Sequence, residues 1–154
     1  MKGISTIEII KEIHRDKIVL IKIGSFYNAY FKDAIIMNYL FGYKIKQVEV
    51  NVNSCGFPVS SINSVKYVLE QKNISYILID RAHNYEEMER EEFKENEYSQ
   101  YYDKGYKYFY IKNRIDNISV ALLENINSEG IKDLLNKIEE VINENRKVYI
   151  YKFD

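Results

Sequence analysis

Apolar residues along this chain fall into short runs with two different periods, and the periods predict the elements. In residues 5–15, Ile7, Ile10 and His14 share one helical stripe with Ile9 and Ile13 alongside, and Ser5 or Thr6 stands where an N-cap belongs. Residues 17–23 are β-branched and apolar and stop at Gly24-Ser25. The aromatic run 26–31 follows, so the two predict a β-hairpin. Asp33 is placed to cap a helix carrying Ile36, Met37, Leu40 and Phe41, which ends at Gly42. Residues 44–53 alternate, with Ile45, Val48, Val50 and Val52 between polar groups, predicting a half-buried strand. Residues 55–58, Cys-Gly-Phe-Pro, read as a turn, since Pro58 holds Phe57 extended and Gly56 permits unusual φ. Ser60 or Ser61 then caps a helix through Val65, Val68 and Leu69, and the continuous apolar run 74–80 predicts a central strand.

Beyond residue 84 the pattern changes. Residues 84–97 hold seven glutamates and predict a solvated linker helix or loop. Residues 98–112 interleave Tyr101, Tyr102, Tyr106, Tyr108, Phe109 and Tyr110 with Lys104, Lys107 and Lys112. The run Asp103-Lys104-Gly105 reads there as a turn between aromatic strands, and residues 106–112 and 118–123 as two further strands. Asn127 or Ser128 opens an amphipathic helix with Ile131, Leu134, Leu135, Ile138, Val141 and Ile142 on one face, and residues 147–153 alternate as a closing strand. The expected fold class is α+β, a mixed β-sheet flanked by helices. Its expected organisation is a core over 1–84, an acidic linker or loop over 85–97, and a C-terminal β-α-β extension over 98–154 packed on the same domain.

A chain of 154 residues is long enough to build a core without disulfides or metals. One cysteine and two distant histidines offer no zinc-type spacing, and no sequence feature asks for a cofactor. Charge interrupts the N-terminus too soon for a secretory segment, and no apolar run approaches the ~18–20 residues that span a bilayer. A cytoplasmic protein with no membrane segment is expected. The net charge of −1 hides an asymmetry: residues 1–85 carry 11 basic and 7 acidic side chains, and residues 86–154 carry 11 and 16. The abundance of Ile, Lys, Asn and Tyr matches AT-rich coding sequence, so single Tyr and Lys residues carry less weight than usual.

Enzyme signatures are missing: there is no phosphate-binding loop of the Gly-x-x-x-x-Gly-Lys type and no dinucleotide fingerprint. His14, His83 and Cys55 read as packing or surface residues rather than catalytic ones. Two places are chemically unusual. At the first hairpin turn, Ser25, Phe26, Tyr27 and Asn28 put a bulky aromatic where it projects, and an apolar wedge of this kind inserts between base steps. The Tyr-rich stretch 98–112, with its interleaved lysines, has the composition of a stacking platform for single strands or of an aromatic hairpin at a sheet edge.

Residues 17–82 resemble the N-terminal mismatch-recognition domain of the MutS family. That domain runs as an apolar strand, then Gly-Asp-Phe-Tyr-Glu-x-Phe-x-x-Asp-Ala, a helix, a strand, a Gly-x-Pro turn, a helix and a final strand. Here the first block is Ile21-Lys22-Ile23-Gly24-Ser25-Phe26-Tyr27-Asn28-Ala29-Tyr30-Phe31-Lys32-Asp33-Ala34. The second block is Cys55-Gly56-Phe57-Pro58, with Tyr76 to Asp80 as the last strand. In that family the phenylalanine of a Phe-x-Glu motif stacks on a mispaired base from the minor groove and the glutamate hydrogen-bonds it. The resemblance therefore implies Phe26 as wedge. It puts Asn28 at the glutamate position, where an amide keeps a donor and an acceptor but no carboxyl, and Ser25 where the family has Asp.

On this resemblance the expected function is a non-enzymatic module that binds mismatched, bulged or otherwise distorted double-stranded DNA. Phe26, Asn28, Ser25 and Tyr27 would lie at the contact, with Lys22, Lys32, Lys44, Lys46 and Lys66 on phosphates. MutS proteins continue into connector, lever, clamp and ATPase domains that this sequence lacks, so a protein partner is expected to supply enzymatic activity. The alternative is an accessory subunit that kept the fold, lost mismatch recognition, and binds a protein through the Tyr-rich hairpin.

Overall fold

The computed structural model describes residues 2–145. The chain divides into two compact units, residues 1–110 and 111–154. In the first unit the elements are α1 (Lys2–Ile13), β1 (Ile18–Ile23), β2 (Phe26–Tyr30), α2 (Lys32–Phe41), β3 (Lys46–Glu49), β4 (Val52–Pro58), α3 (Ile62–Gln71), β5 (Tyr76–Asp80) and β6 (Glu86–Glu91). Helix α4 (Tyr98–Glu124) begins in this unit and ends in the second, where α5 (Ile131–Glu144) follows. Among the described residues, no helix is long and apolar enough to cross a membrane.

One six-stranded mixed sheet organises the first unit, in the order β3-β4-β2-β1-β5-β6. Strands β1 and β5 pair in parallel at its centre and the other neighbours are antiparallel. As the unbroken apolar run predicted, every residue of β5 is buried. One face carries Ile18, Leu20, Tyr27, Ala29, Phe57, Tyr76 and Leu78, which pack on Ala34, Ile36 and Met37 of α2, Val65 and Leu69 of α3, and Tyr98. The other carries Val19, Ile21, Ile77 and Ile79, covered by Ile7 of α1. Helix α2 ends at Gly42, whose φ of 71° and N–H bond to the Asn38 carbonyl make the left-handed C-cap expected of glycine. Its N-cap position belongs to Phe31 rather than Asp33. The Asp33 carboxylate instead accepts from the Val19 N–H at 2.9 Å and ties the helix to the sheet.

Several expectations are corrected. The alternating stretch 44–53 is not one strand: it breaks between β3 and β4, with Asn51 at φ 61° and Val50 exposed at the bend. Residues 55–58 are not a turn but the end of β4, paired along β2 from Phe26↔Pro58 to Tyr30↔Ser54. The acidic stretch is neither linker helix nor loop over residues 86–91. These residues pair with β5, whose N–H and C=O groups would otherwise line an open edge, and a charged outer strand blunts that edge. The Lys66–Glu89 ion pair at 2.6 Å ties it to α3, and Arg90–Glu87, also at 2.6 Å, lies within the strand.

No Tyr-rich hairpin forms. Residues 98–124 are one helix, because Tyr98, Tyr101, Tyr102 and Gly105 recur at helical spacing and face the core. Gly105 is buried in the helix rather than in a turn. A Cβ there would stand 3.2 Å from the Ile35 carbonyl oxygen and 3.3 Å from Tyr39 Cβ, so glycine lets the two helices approach. The C-terminal β-α-β extension is therefore helical over its described residues, and the predicted strand 147–153 lies outside them.

Candidate nucleic-acid interface

The β1–β2 hairpin closes through Gly24-Ser25. Gly24 has φ of 59° and Ser25 does not share a positive φ, the pattern of a type II′ turn that suits the twist of paired strands. Phe26 is the first residue after the turn and is 50% exposed. Side chains alternate along β2, so Phe26, Asn28 and Tyr30 share one face while Tyr27 and Ala29 share the other. Tyr27 thereby enters the core, with its ring 5.8 Å from Phe57, on the face of the sheet opposite Phe26 and Asn28.

Cross-strand register supplies the rest of the face. Phe26 lies opposite Pro58, Asn28 opposite Gly56 and Tyr30 opposite Ser54; one strand further, Ser54 lies opposite Lys46. Since Gly56 has no side chain, the Asn28 amide lies against that strand: a Cβ at Gly56 would be 2.8 Å from Asn28 Oδ1. The result is an open concavity of about 550 Å³ lined by Ile23, Phe26, Asn28, Lys44, Lys46, Ser54, Cys55 and Gly56. Helix α1 covers the β1–β5 part of this face and leaves the β2–β4–β3 part open.

The lysines sort sharply. Lys44 and Lys46 are exposed beside Phe26, and neither has an ion-pair partner among the described residues. Lys22 has the same strand parity as the buried Leu20, on the opposite face, with Asp80 at 3.9 Å. Lys66 belongs to α3 and pairs with Glu89 at 2.6 Å. Lys32 opens α2, where its ammonium lies 4.9 Å from the centre of the Tyr102 ring, in a depression shared with Glu8, Lys11, Glu12 and Arg15. The structure thus brings two of the five lysines to Phe26 and Asn28, and places Lys22, Lys32 and Lys66 elsewhere. Ser25 is exposed at the hairpin tip.

Sequence reasoning missed Gly56 and Ser54. The signal that finds them is the β2–β4 pairing, which no local pattern contains. Cys55 lines the concavity while its side chain packs in the core; it is 2% exposed, and burial pushes its thiol up to about 12, with the Asp33 carboxylate adding to the rise. Elsewhere, the His83 ring meets the Asp80 carboxylate at 2.9 Å, which with the Ala82 N–H holds that carboxyl below its usual range. Among the described residues, no cluster of three His, Cys, Asp or Glu side chains forms a metal site.

Residues 4–105 match the family model described as MutS domain I. No curated protein matches the chain.

Proposed function

The chain belongs to the MutS domain I family, a non-catalytic DNA-recognition domain, and from that premise we propose that it binds double-stranded DNA carrying a mismatch, a bulge or another distortion. The observation that carries this reading is the meeting, on one uncovered face of the sheet, of a half-exposed Phe26, the Asn28 amide and the exposed Lys44 and Lys46, which have no ion-pair partner among the described residues.

Each part has a physical role in the proposal. Phe26 is the wedge: it inserts at a base step from the minor groove, and the unstacking, a few kcal/mol per step, is offset by contacts to the bent duplex. A defect that has already weakened stacking lowers that cost, which is how the wedge discriminates. Asn28 reads the adjacent base edge. Its NH₂ donates to the N3 or O2 acceptors of the minor groove, and its carbonyl accepts from the guanine N2 amine. Lys44 and Lys46 hold phosphates and set orientation without reading sequence. Ser25 stands at the turn beside the wedge. The chain recognises, and a protein partner supplies the enzymatic step.

Fluorescence anisotropy with a perfect duplex and with duplexes carrying a mismatch or a single-base bulge tests this, at low and at physiological salt. The defective duplexes are expected to bind more tightly, and Phe26→Ala to abolish the preference. Equal binding of all duplexes by both proteins, or no binding at low salt, overturns the reading.

A further inference from the structure

Lys44 and Lys46 stand on one side of Phe26, towards β4 and β3. The other side, towards β1 and β5, carries a cation too. Strand register places it. Phe26 lies opposite Ile23 and Lys22 lies opposite Asp80, so the next residue of each strand brings Arg81 beside Ile23. Ile77 and Ile79 face α1, and by the same alternation so does Arg81. Its guanidinium agrees, lying 3.5 Å from where a Cβ at Gly3 of α1 would stand. Tyr30, on the face of β2 that carries Phe26, is within range of the same charge: burial raises its hydroxyl and Arg81 opposes the rise.

Arg81 is exposed and has no ion-pair partner among the described residues. The carboxylates nearest to it in register are engaged or turned away. Asp80 has the parity of Leu78 and belongs to the other face, where it meets the His83 ring at 2.9 Å and Lys22 at 3.9 Å. Glu86 pairs in register with Asp80 and shares that face. Glu87 lies opposite Ile79, on the face of Arg81, and is held by Arg90 at 2.6 Å. A guanidinium left open at the rim of the wedge face can take an anion, and its planar fork matches two oxygens of a phosphate.

We propose that Arg81 holds a phosphate of the backbone opposite to the one held by Lys44 and Lys46, so that the substrate is a duplex with both strands continuous through the defect. This rests on the DNA reading given above. The end of β5 and β3 are each two strands from β2, so Arg81 and Lys46 stand four strand spacings apart, about 19 Å, with the wedge strand midway. An aromatic ring that enters a groove has one sugar-phosphate backbone on either side of it, and cations flanking the ring meet different walls. Lysines on one side alone would leave the duplex free to roll away from Phe26; Arg81 fixes the second wall. A single strand offers one backbone and engages one side only. Phosphate contacts carry no sequence information, so Arg81 positions perfect and defective duplexes alike.

The test is fluorescence anisotropy of the full chain on a perfect duplex and a single-base-bulged duplex over a range of salt, with Arg81→Gln and Arg81→Lys. Arg81→Gln is expected to weaken both duplexes by the same factor, to keep the preference for the bulge, and to flatten the slope of log K against log salt by about 0.9. Arg81→Lys keeps the charge and is expected to keep the slope. Bulged duplexes with neutral methylphosphonate linkages flanking the bulge on one strand or the other then separate the walls. Neutralising one strand is expected to silence Arg81→Gln, and neutralising the other to silence Lys44→Gln with Lys46→Gln. A wild type that prefers the bulge while Arg81→Gln keeps its full slope overturns the proposal and leaves the DNA reading standing. So does a slope lost equally in Arg81→Lys, a preference lost in Arg81→Gln, or silencing of both sets of variants by the same strand. A wild type that binds no duplex at low salt overturns the DNA reading and this proposal with it.

Discussion

Gly56 and Asn28 face each other across two antiparallel strands, and the first has no side chain where the second needs room. A methyl group at Gly56 would stand 2.8 Å from Asn28 Oδ1, closer than a Cβ ever sits, yet the obstruction is the end of a flexible side chain. Gly56→Ala is therefore expected to fold normally and to push the amide off the face. The preference for a distorted duplex should fall by roughly tenfold, the loss of one base-edge contact. An unchanged preference in the anisotropy assay would remove Asn28 from the interface. Cys55, next in the same strand, behaves oppositely. Buried, with its thiol raised to about 12, it presents almost no thiolate. Thiol reagents at about pH 8 are expected to leave the native protein unmodified and to label one site once denaturant is added. Rapid labelling of the native chain would mean that the packing behind β4 opens.

At the scale of elements, the first unit is tied together at Asp33. Its carboxylate accepts from the Val19 N–H of β1 at 2.9 Å and the Tyr98 hydroxyl of α4 at 2.6 Å, and Lys11 of α1 lies 2.8 Å away. Burial pushes this carboxyl above its usual range, and the Lys11 ammonium, the Tyr98 hydroxyl and the Val19 N–H oppose that rise. Tyr98→Phe removes one bond to a charged group and is expected to cost about 1.5–3 kcal/mol in urea unfolding. Asp33→Ala also leaves the Lys11 ammonium without its counter-charge, with only the His14 and Lys17 carbonyls as acceptors, and is expected to cost about 3–5 kcal/mol. Equal midpoints for wild type and Tyr98→Phe would show that this carboxylate does not hold α4. Lys11 also lies 4.6 Å from the centre of the Tyr98 ring, so the same side chains fasten α4 by two kinds of contact.

For the whole molecule, charge matters by placement rather than by sum. The excess of four basic residues over 1–85 suggests a nucleic-acid footprint, but Lys11, Lys17, Lys22 and Lys66 have carboxylates of their own within 4 Å. Lys44 and Lys46 are the pair left open beside Phe26. Each phosphate neutralised contributes about 0.9 to the slope of log K against log salt. Lys44→Gln with Lys46→Gln is accordingly expected to flatten that slope by about 1.8, while Lys22→Gln with Lys66→Gln leaves it unchanged. A slope that responds to Lys22 and Lys66 instead would put the duplex on the other face of the sheet.

How much of this was legible follows from where each feature is encoded. The β1–β2 hairpin, the α2 end at Gly42, the amphipathic stripe of α5 and the buried β5 were determined locally. Periodicity assigns side chains to a face, and glycine marks where φ turns positive. The position of Phe26 just after a Gly-Ser turn was equally readable. Strand pairing was not. That residues 55–58 lie along β2, that Gly56 meets Asn28, and that Lys46 reaches the wedge face depend on register between segments more than twenty residues apart. A one-residue slip would have reversed every side chain. The acidic stretch has no strand propensity of its own and pairs because β5 would otherwise present an open edge. The tyrosines of α4 read locally as a hairpin because Asp-Lys-Gly is turn chemistry. Only packing against Ile35 and Tyr39 makes Gly105 a close approach between helices. Local sequence thus determined the elements and the wedge, and tertiary pairing decided which residues stand around it.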